Sequence, residues 1–205
     1  AMPVHLVRWG KDGAPDEIQE CGLSCENGAF VWQERRASGR LLERAQAIAS
    51  EFELPIAYQS EISLAASDWT AAWAGILGRG ALLLIDYGFP RREFYHAQRN
   101  TGTLMCHYRH RSHTDPLVLP GLQDITAHVD FTAIVEAGFG AGLDFLGYTT
   151  QAAFLLNCGL TDVLARTPAE DTLRYLPQAQ AAQKLISPAE MGELFKVIAL
   201  GKGIG

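Results

Sequence analysis

Between residues 91 and 113 the chain sets Arg91, Arg92, Arg99, Arg109 and Arg111 against a single acid, Glu93. His96, His107, His110, His113 and His128 crowd the same neighbourhood, leaving only His5 elsewhere. A guanidinium grips a carboxylate or phosphate through a planar fork, and an imidazole titrates near neutrality or ligates a metal. His107, His110 and His113 would share one face if that stretch were helical, which invites a zinc, copper or iron site. The arginine neighbours, with no carboxylate before Asp115, make a poor cage for a cation, so an anion-binding or substrate-contacting loop fits this stretch better. Phe94, Tyr95 and Tyr108 among the arginines could stack RNA bases. The acidic remainder of the chain opposes that reading, and no RNP-like or GXXG signature supports it.

Three smaller constellations follow. Asp86, Tyr87 and Gly88 end the apolar run ALLLI, and ligands of open α/β sheets bind outside the carboxyl ends of strands; Asp86 could equally cap the next turn. Tyr95 and Arg99 fall one turn apart if Pro90 opens a helix, with Thr103 close behind, able to present a phenol and a guanidinium together. A solvated surface helix is the plain alternative. Asp124, Thr126, His128 and Asp130 alternate strictly, so an extended segment would project all four on one face, as a general-base or hydrogen-bonding site requires. A hydrated edge strand running into an Asp cap would show the same pattern.

The elements that position these groups are legible in outline. Residues 4–9, 17–24 and 29–35, separated by turn chemistry at 11–15 and 26–28, read as an antiparallel β-meander over residues 1–36. Ser38 caps a helix over 39–53 whose Leu41, Leu42, Ala45, Ile48, Ala49 and Phe52 recur at helical spacing, and Pro55 stops it. After an extended stretch at 56–62, Ser63 caps a second helix through Leu77, with Trp69 and Trp73 on one face. That helix leads directly into the apolar strand at 81–85, the order expected of a buried strand in a parallel α/β sheet. Asp130 caps residues 131–139, a strand follows at 143–148, and residues 150–194 read as helical pieces broken at Gly159, Pro168, Pro177 and Pro188. Residues 195–203 read as a final strand.

The chain has 205 residues, 48% hydrophobic, enough for a single domain with a real core. Its sections are 1–36, 37–149 and 150–205. No apolar run approaches the roughly 20 residues of a membrane-spanning helix. Cys21, Cys25, Cys106 and Cys158 are too scattered for a disulfide framework, and the CxxxC spacing of the first two lacks a second ligand pair for structural zinc. A reducing compartment, the cytoplasm by default, is the expectation, with no metal. The net charge of −6 argues against nucleic acid as a partner of the whole surface.

The stretches YQSEISLA, GALLLIDYGFPRREFYHAQRNTGTLMCHYRHRSHTDP, PGLQDITAHVDFTAI, GYTTQAAFLLNCGL and SPAEMGELFKVIALGKG resemble the MidA-like S-adenosylmethionine-dependent methyltransferases. That family includes mitochondrial proteins that assist respiratory complex I assembly. The resemblance spans essentially the whole chain. It implies the carboxyl-terminal part of a Rossmann-like class I methyltransferase α/β fold, with the N-terminal meander and helical insertions added. It also implies a protein substrate, with arginine as the suggested acceptor. Asp86, Tyr87, Gly88, Tyr95, Arg99, Gly102, Thr103, His110, Asp124, Thr126, His128 and Asp130 fall on the family's motifs. Of these, Asp86, His110, Asp124, His128 and Asp130 are the candidates for acid–base or carboxylate chemistry. Tyr87, Gly88, Tyr95, Arg99, Thr103 and Thr126 are the candidates for holding substrate.

One departure stands out. The glycine-rich strand–turn–helix that holds the methyl donor in such enzymes is missing, as is the acidic residue for the ribose. The expectation is therefore the substrate-side portion of a longer enzyme, binding S-adenosylmethionine weakly or not at all alone. An unpaired sheet edge that could support a homodimer would accompany it. The rival is a non-enzymatic interaction or assembly module docking through the meander and the Arg/His loop, and a metal-dependent hydrolase is a distant third.

Overall fold

A computed structural model describes residues 2–10 and 17–204. Strands β1 (His5–Trp9), β2 (Ile18–Glu26) and β3 (Ala29–Arg36) form the meander, and β4 (Gln59–Ile62) adds to its far side in the order β3-β2-β1-β4, all antiparallel. The turn read at residues 11–15 lies outside the described residues. Helix α1 (Gly39–Glu51) covers this sheet with Leu41, Ala45 and Ile48, and Trp9 donates its indole N–H to the Ala45 carbonyl at 3.0 Å. Ser38 occupies the N-cap position as its sequence suggested, but its hydroxyl makes no capping bond.

Helix α2 (Leu64–Ile76) starts where expected, its cap Ser63 accepting from the Ala66 N–H at 3.1 Å. Trp69 and Trp73 meet edge to face along it. The second sheet holds β5 (Gly80–Phe89), β9 (Val129–Asp130), β10 (Asp144–Thr150) and β11 (Phe195–Lys202), ordered β10-β11-β5-β9. β11 is antiparallel to both β10 and β5, whereas β5 and β9 run parallel. The all-parallel expectation is therefore corrected to a mixed sheet. Burial of β5 is one-sided too. Leu82 and Leu84 pack with Leu200, Leu143 and Ile134, while Leu83 and Ile85 remain 47% and 45% exposed. A short apolar run carries no period, so it cannot tell a strand covered on one face from one covered on both.

Helix α3 (Arg91–Phe94) is a single turn, and the segment after it forms a small sheet, β7 (Arg111–His113), β6 (Met105–Tyr108) and β8 (Asp124–Thr126), in that order. Arg109 and His110 make its two-residue hairpin turn with φ of 48° and 64°. Neither is the Asn or Gly that announces such a turn, which is why the hairpin left no mark in the sequence. Helix α4 (Phe131–Gly140) begins at the expected Asp130 cap, whose carboxylate accepts from the Ala133 N–H at 3.1 Å. Helices α5 (Gln151–Asn157), α6 (Leu160–Leu164) and α7 (Thr172–Ile186) fill the connection to β11. α7 runs through Pro177 rather than breaking there, since a proline early in a helix forfeits one backbone bond and the later turns hold the rest.

Two buried clusters result. Trp9, Ile18, Ile48, Tyr58, Phe94 and Tyr95 centre one beneath the meander, and Ala66, Ala74, Ile134, Leu143 and Leu200 centre the other under the mixed sheet.

Candidate functional site

A cavity of about 680 Å³ lies where residues of the two clusters face each other, within the size range of small-molecule sites. β5 contributes Asp86 and Tyr87 from its carboxyl end, and the approach to α4 contributes His128 and Asp130. α1 adds Arg40, Glu43 and Arg44, and β4 with the start of α2 adds Glu61 and Ser63.

Gly88 explains how β5 and β9 come so close. A Cβ there would stand 2.2 Å from the Val129 carbonyl oxygen, so only glycine lets this parallel pair form. The pairing brings His128 alongside β5. Its ring stacks on Phe89 at 5.1 Å with planes 7° apart, and meets Tyr87 edge to face at 5.1 Å. The Arg99 guanidinium lies over the same Phe89 ring, 4.2 Å from its centre. Burial first, and then the nearby Arg99 charge, hold the His128 imidazole below its ordinary 6.5, so it is neutral at pH 7. Its Nδ1 is buried without a hydrogen-bond partner among the described residues.

Asp86 accepts from the Tyr87 N–H at 2.8 Å through one oxygen. Asp130 is engaged twice, as the α4 cap and by Arg91, whose Nε lies 3.3 Å from Oδ2. Burial raises its carboxyl above the usual range against the pull of Arg91. Arg91 itself is only 6% exposed and also donates to Glu136, with one nitrogen at 2.6 Å, and to Glu51 at 3.4 Å. Burial opposes its charge, yet the Glu136 hydrogen bonds and the Asp130 charge outweigh this and raise its pKa. Arg44 joins at 3.1 Å from Glu136, giving one cavity wall a chain of alternating charges.

The structure brings Asp86, Tyr87, Tyr95, His128 and Asp130 to the cavity. Tyr95 is buried, its hydroxyl donating to the Glu61 carbonyl at 3.1 Å, and its phenol is held well above its ordinary pKa by burial and the Asp130 charge. The helical pairing of Tyr95 with Arg99 does not occur, because α3 ends at Phe94. The row of four alternating groups is split between β8 and β9. Asp124 lies exposed on the small sheet opposite His107, and the Thr126 hydroxyl donates to the Met105 carbonyl at 3.2 Å. His110 sits at the exposed hairpin tip. The histidine triplet is on a β-hairpin, not a helix, and the described residues hold no group of three His, Cys, Asp or Glu placed for a metal ion.

Glu61 and Glu136 are residues that sequence reading did not single out, and Arg91 was read only as one of five arginines in a basic stretch. Glu61 carried a signal: a carboxylate in a short extended run between Ser60 and Ile62, inside an otherwise buried strand. The pairing of Arg91 with Glu136 carried none, the two being 45 positions apart.

Residues 1–149 match a protein family described as S-adenosyl-L-methionine-dependent methyltransferase. The mitochondrial protein arginine methyltransferase NDUFAF7 homolog of Drosophila melanogaster is 29% identical over 218 residues, covering 100% of this chain and 45% of that protein. Its Homo sapiens counterpart is 34% identical over 124 residues, covering 59% and 26%. A crystal structure of a superfamily member from Burkholderia thailandensis bound to S-adenosyl-homocysteine is 53% identical with a TM-score of 0.91, covering 100% of this chain and 51% of that one. The chain thus spans about half the length of the proteins it matches end to end. The cytoplasmic expectation is overturned, since the named relatives are mitochondrial proteins. Unpaired cysteines separate reducing from oxidising surroundings but do not distinguish one reducing compartment from another. No helix of the described residues is long and apolar enough to cross a membrane.

Proposed function

Because the chain belongs to the S-adenosyl-L-methionine-dependent methyltransferase family and has the Rossmann-like fold of that structural relative, we propose that it forms the acceptor-facing wall of such an enzyme and takes a protein arginine side chain. The observation that carries this reading is the meeting, in one cavity, of Asp86, which among the described residues accepts through one carboxylate oxygen only, and a partly buried His128 imidazole whose pKa burial lowers. A guanidinium that accepts a methyl group must be oriented by carboxylates and must lose a proton, and those are the two groups required. The names of the relatives as protein arginine methyltransferases support the choice of acceptor. Asp130 and Glu136 supply further negative charge but are tied to Arg91 and Arg44, so their part is to fix the wall.

The family's methyl donor is S-adenosylmethionine, and enzymes of this fold cradle it on a glycine-rich strand–turn–helix. Among the described residues, α2, α4 and α5 are entered through Ser63, Asp130 and Thr150, none of them in a glycine-rich turn. These residues do not fit the donor's cradle, and no step here is routed through it. The chain alone is expected to bind the donor weakly in a calorimeter.

The test is transfer of labelled methyl to arginine-bearing and lysine-bearing peptides by the whole gene product that carries this chain. Label should enter arginine, and Asp86→Asn should cut turnover by roughly 100-fold. Label confined to lysine would overturn the acceptor reading.

A further inference from the structure

Glu61 is 1% exposed, and among the described residues no cation pairs with its carboxylate. Besides a bond from its own backbone, it is satisfied by one turn of chain more than forty residues away. The Thr103 N–H donates to both carboxylate oxygens at 3.0 Å, the Thr103 hydroxyl donates to Oε2 at 2.9 Å, and the Leu104 N–H donates to Oε1 at 3.0 Å. Gly102 opens that turn with φ of +78°, and a Cβ on it would lie 2.3 Å from Oε1. The turn is built around the carboxylate.

The Thr103 hydroxyl does a second thing. While its hydrogen points to Glu61, its oxygen accepts from the His128 backbone N–H at 3.0 Å. Both halves of the hydroxyl's bonding capacity are therefore directed, which fixes its rotor. Among the described residues His128 has no hydrogen bond through Nδ1, so its ring is held by the Phe89 stack, the Tyr87 edge, a bond with the Thr103 backbone and this backbone anchor.

We propose that Glu61 is a positioning residue, which acts through the Thr103 hydroxyl to seat His128 in the cavity. The proposal rests on the reading of His128 as a working group of the acceptor site. It explains why a carboxylate is needed at this position. Three donors converge on it, and a glutamine would offer one acceptor oxygen and turn N–H groups toward N–H groups. Glu61 also lines the cavity, but its oxygens are spent on the turn.

The test is an NMR titration of the His128 imidazole, which needs neither donor nor acceptor and so stands apart from whether arginine is the substrate. Wild type and Thr103→Ser should titrate alike, below 6.5. Thr103→Val, which keeps the backbone bonds to Glu61 but removes the hydroxyl, should move the midpoint up toward 6.5 as the ring reaches solvent. Glu61→Gln should do the same and speed hydrogen exchange at the Thr103 and Leu104 amides. A His128 midpoint unchanged in Thr103→Val would overturn the proposal. That variant decides the matter even if Glu61→Gln fails to fold.

Discussion

His128 lies flat against Phe89, ring centres 5.1 Å apart and planes 7° from parallel, and the Arg99 guanidinium lies over the same phenyl ring at 4.2 Å from its centre. The Arg99 charge is, after burial, the second cause that depresses the imidazole. Stacked aromatic pairs contribute about 0.5–1.5 kcal/mol beyond area burial. Phe89→Leu should keep most of the apolar burial and lose the stack. The expected result is about 1 kcal/mol of destabilisation with a roughly tenfold or larger fall in methyl transfer by the whole enzyme. A Phe89→Leu enzyme of normal activity would remove His128 from the chemistry.

The His128 shift also dictates a pH dependence. Its folded-state pKa is depressed below the ordinary 6.5 by burial first and Arg99 second. The unfolded chain therefore takes up the proton first, so the contribution to stability is whole above 6.5 and is lost as pH falls through the lower folded value. Urea midpoints measured from pH 7.5 down to 5 should fall, and His128→Gln should flatten that part of the profile. An identical acid slope in the variant would mean that other groups carry it.

Arg91 joins three acidic residues, and the consequences of breaking it are unequal. Arg91→Met would leave Asp130 buried with only Arg44 nearby, at 3.9 Å, and removing one partner of a buried pair costs about 3–5 kcal/mol. Glu136 is half exposed and its carboxyl is lowered by the Arg91 hydrogen bonds, so Glu136→Gln should cost about 1 kcal/mol or less. Thermal unfolding of both variants and of the double variant would show coupling between them, and strictly additive effects would argue against a shared network.

What could be read from the sequence was what chemistry makes local. Ser63 and Asp130 cap helices because a short oxygen-bearing side chain in front of an apolar periodic run needs no distant partner. The carboxyl end of β5 was legible as a strand end for the same reason, since the apolar run stops at Asp86, which lines the cavity. The Glu61 turn spans 42 positions and the Arg91 pair 45, and no spacing rule reaches so far. His110 and Asp124 show the converse case. They looked catalytic by type, but the hairpin turn and the break between β8 and β9 put them on a separate small sheet.

Gly88→Ala tests whether the β5–β9 pairing builds the site. The added methyl would meet the Val129 carbonyl oxygen at 2.2 Å and its nitrogen at 2.8 Å, both backbone atoms that cannot swing aside. The two strands must part, carrying His128 and the Asp130 cap with them, at a cost of about 2–4 kcal/mol. Circular dichroism should retain the meander while methyl transfer is lost. An active Gly88→Ala enzyme would place the chemistry elsewhere.

The open side of β5 bears on self-association. β11 occupies one edge, while on the other β9 pairs only with Gly88 and Phe89, leaving, among the described residues, the backbone groups of residues 80–87 that face this second edge without a strand partner. Leu83 and Ile85 project from the same strand with nearly half their surface in water. An unpaired edge beside an apolar face favours strand addition, and a second copy of the chain supplies one. Sedimentation should show concentration-dependent dimers of the isolated chain. Leu83→Lys with Ile85→Lys should leave monomers, since charge on an edge strand opposes pairing. Dimers that persist in the doubly charged variant would locate the contact away from β5.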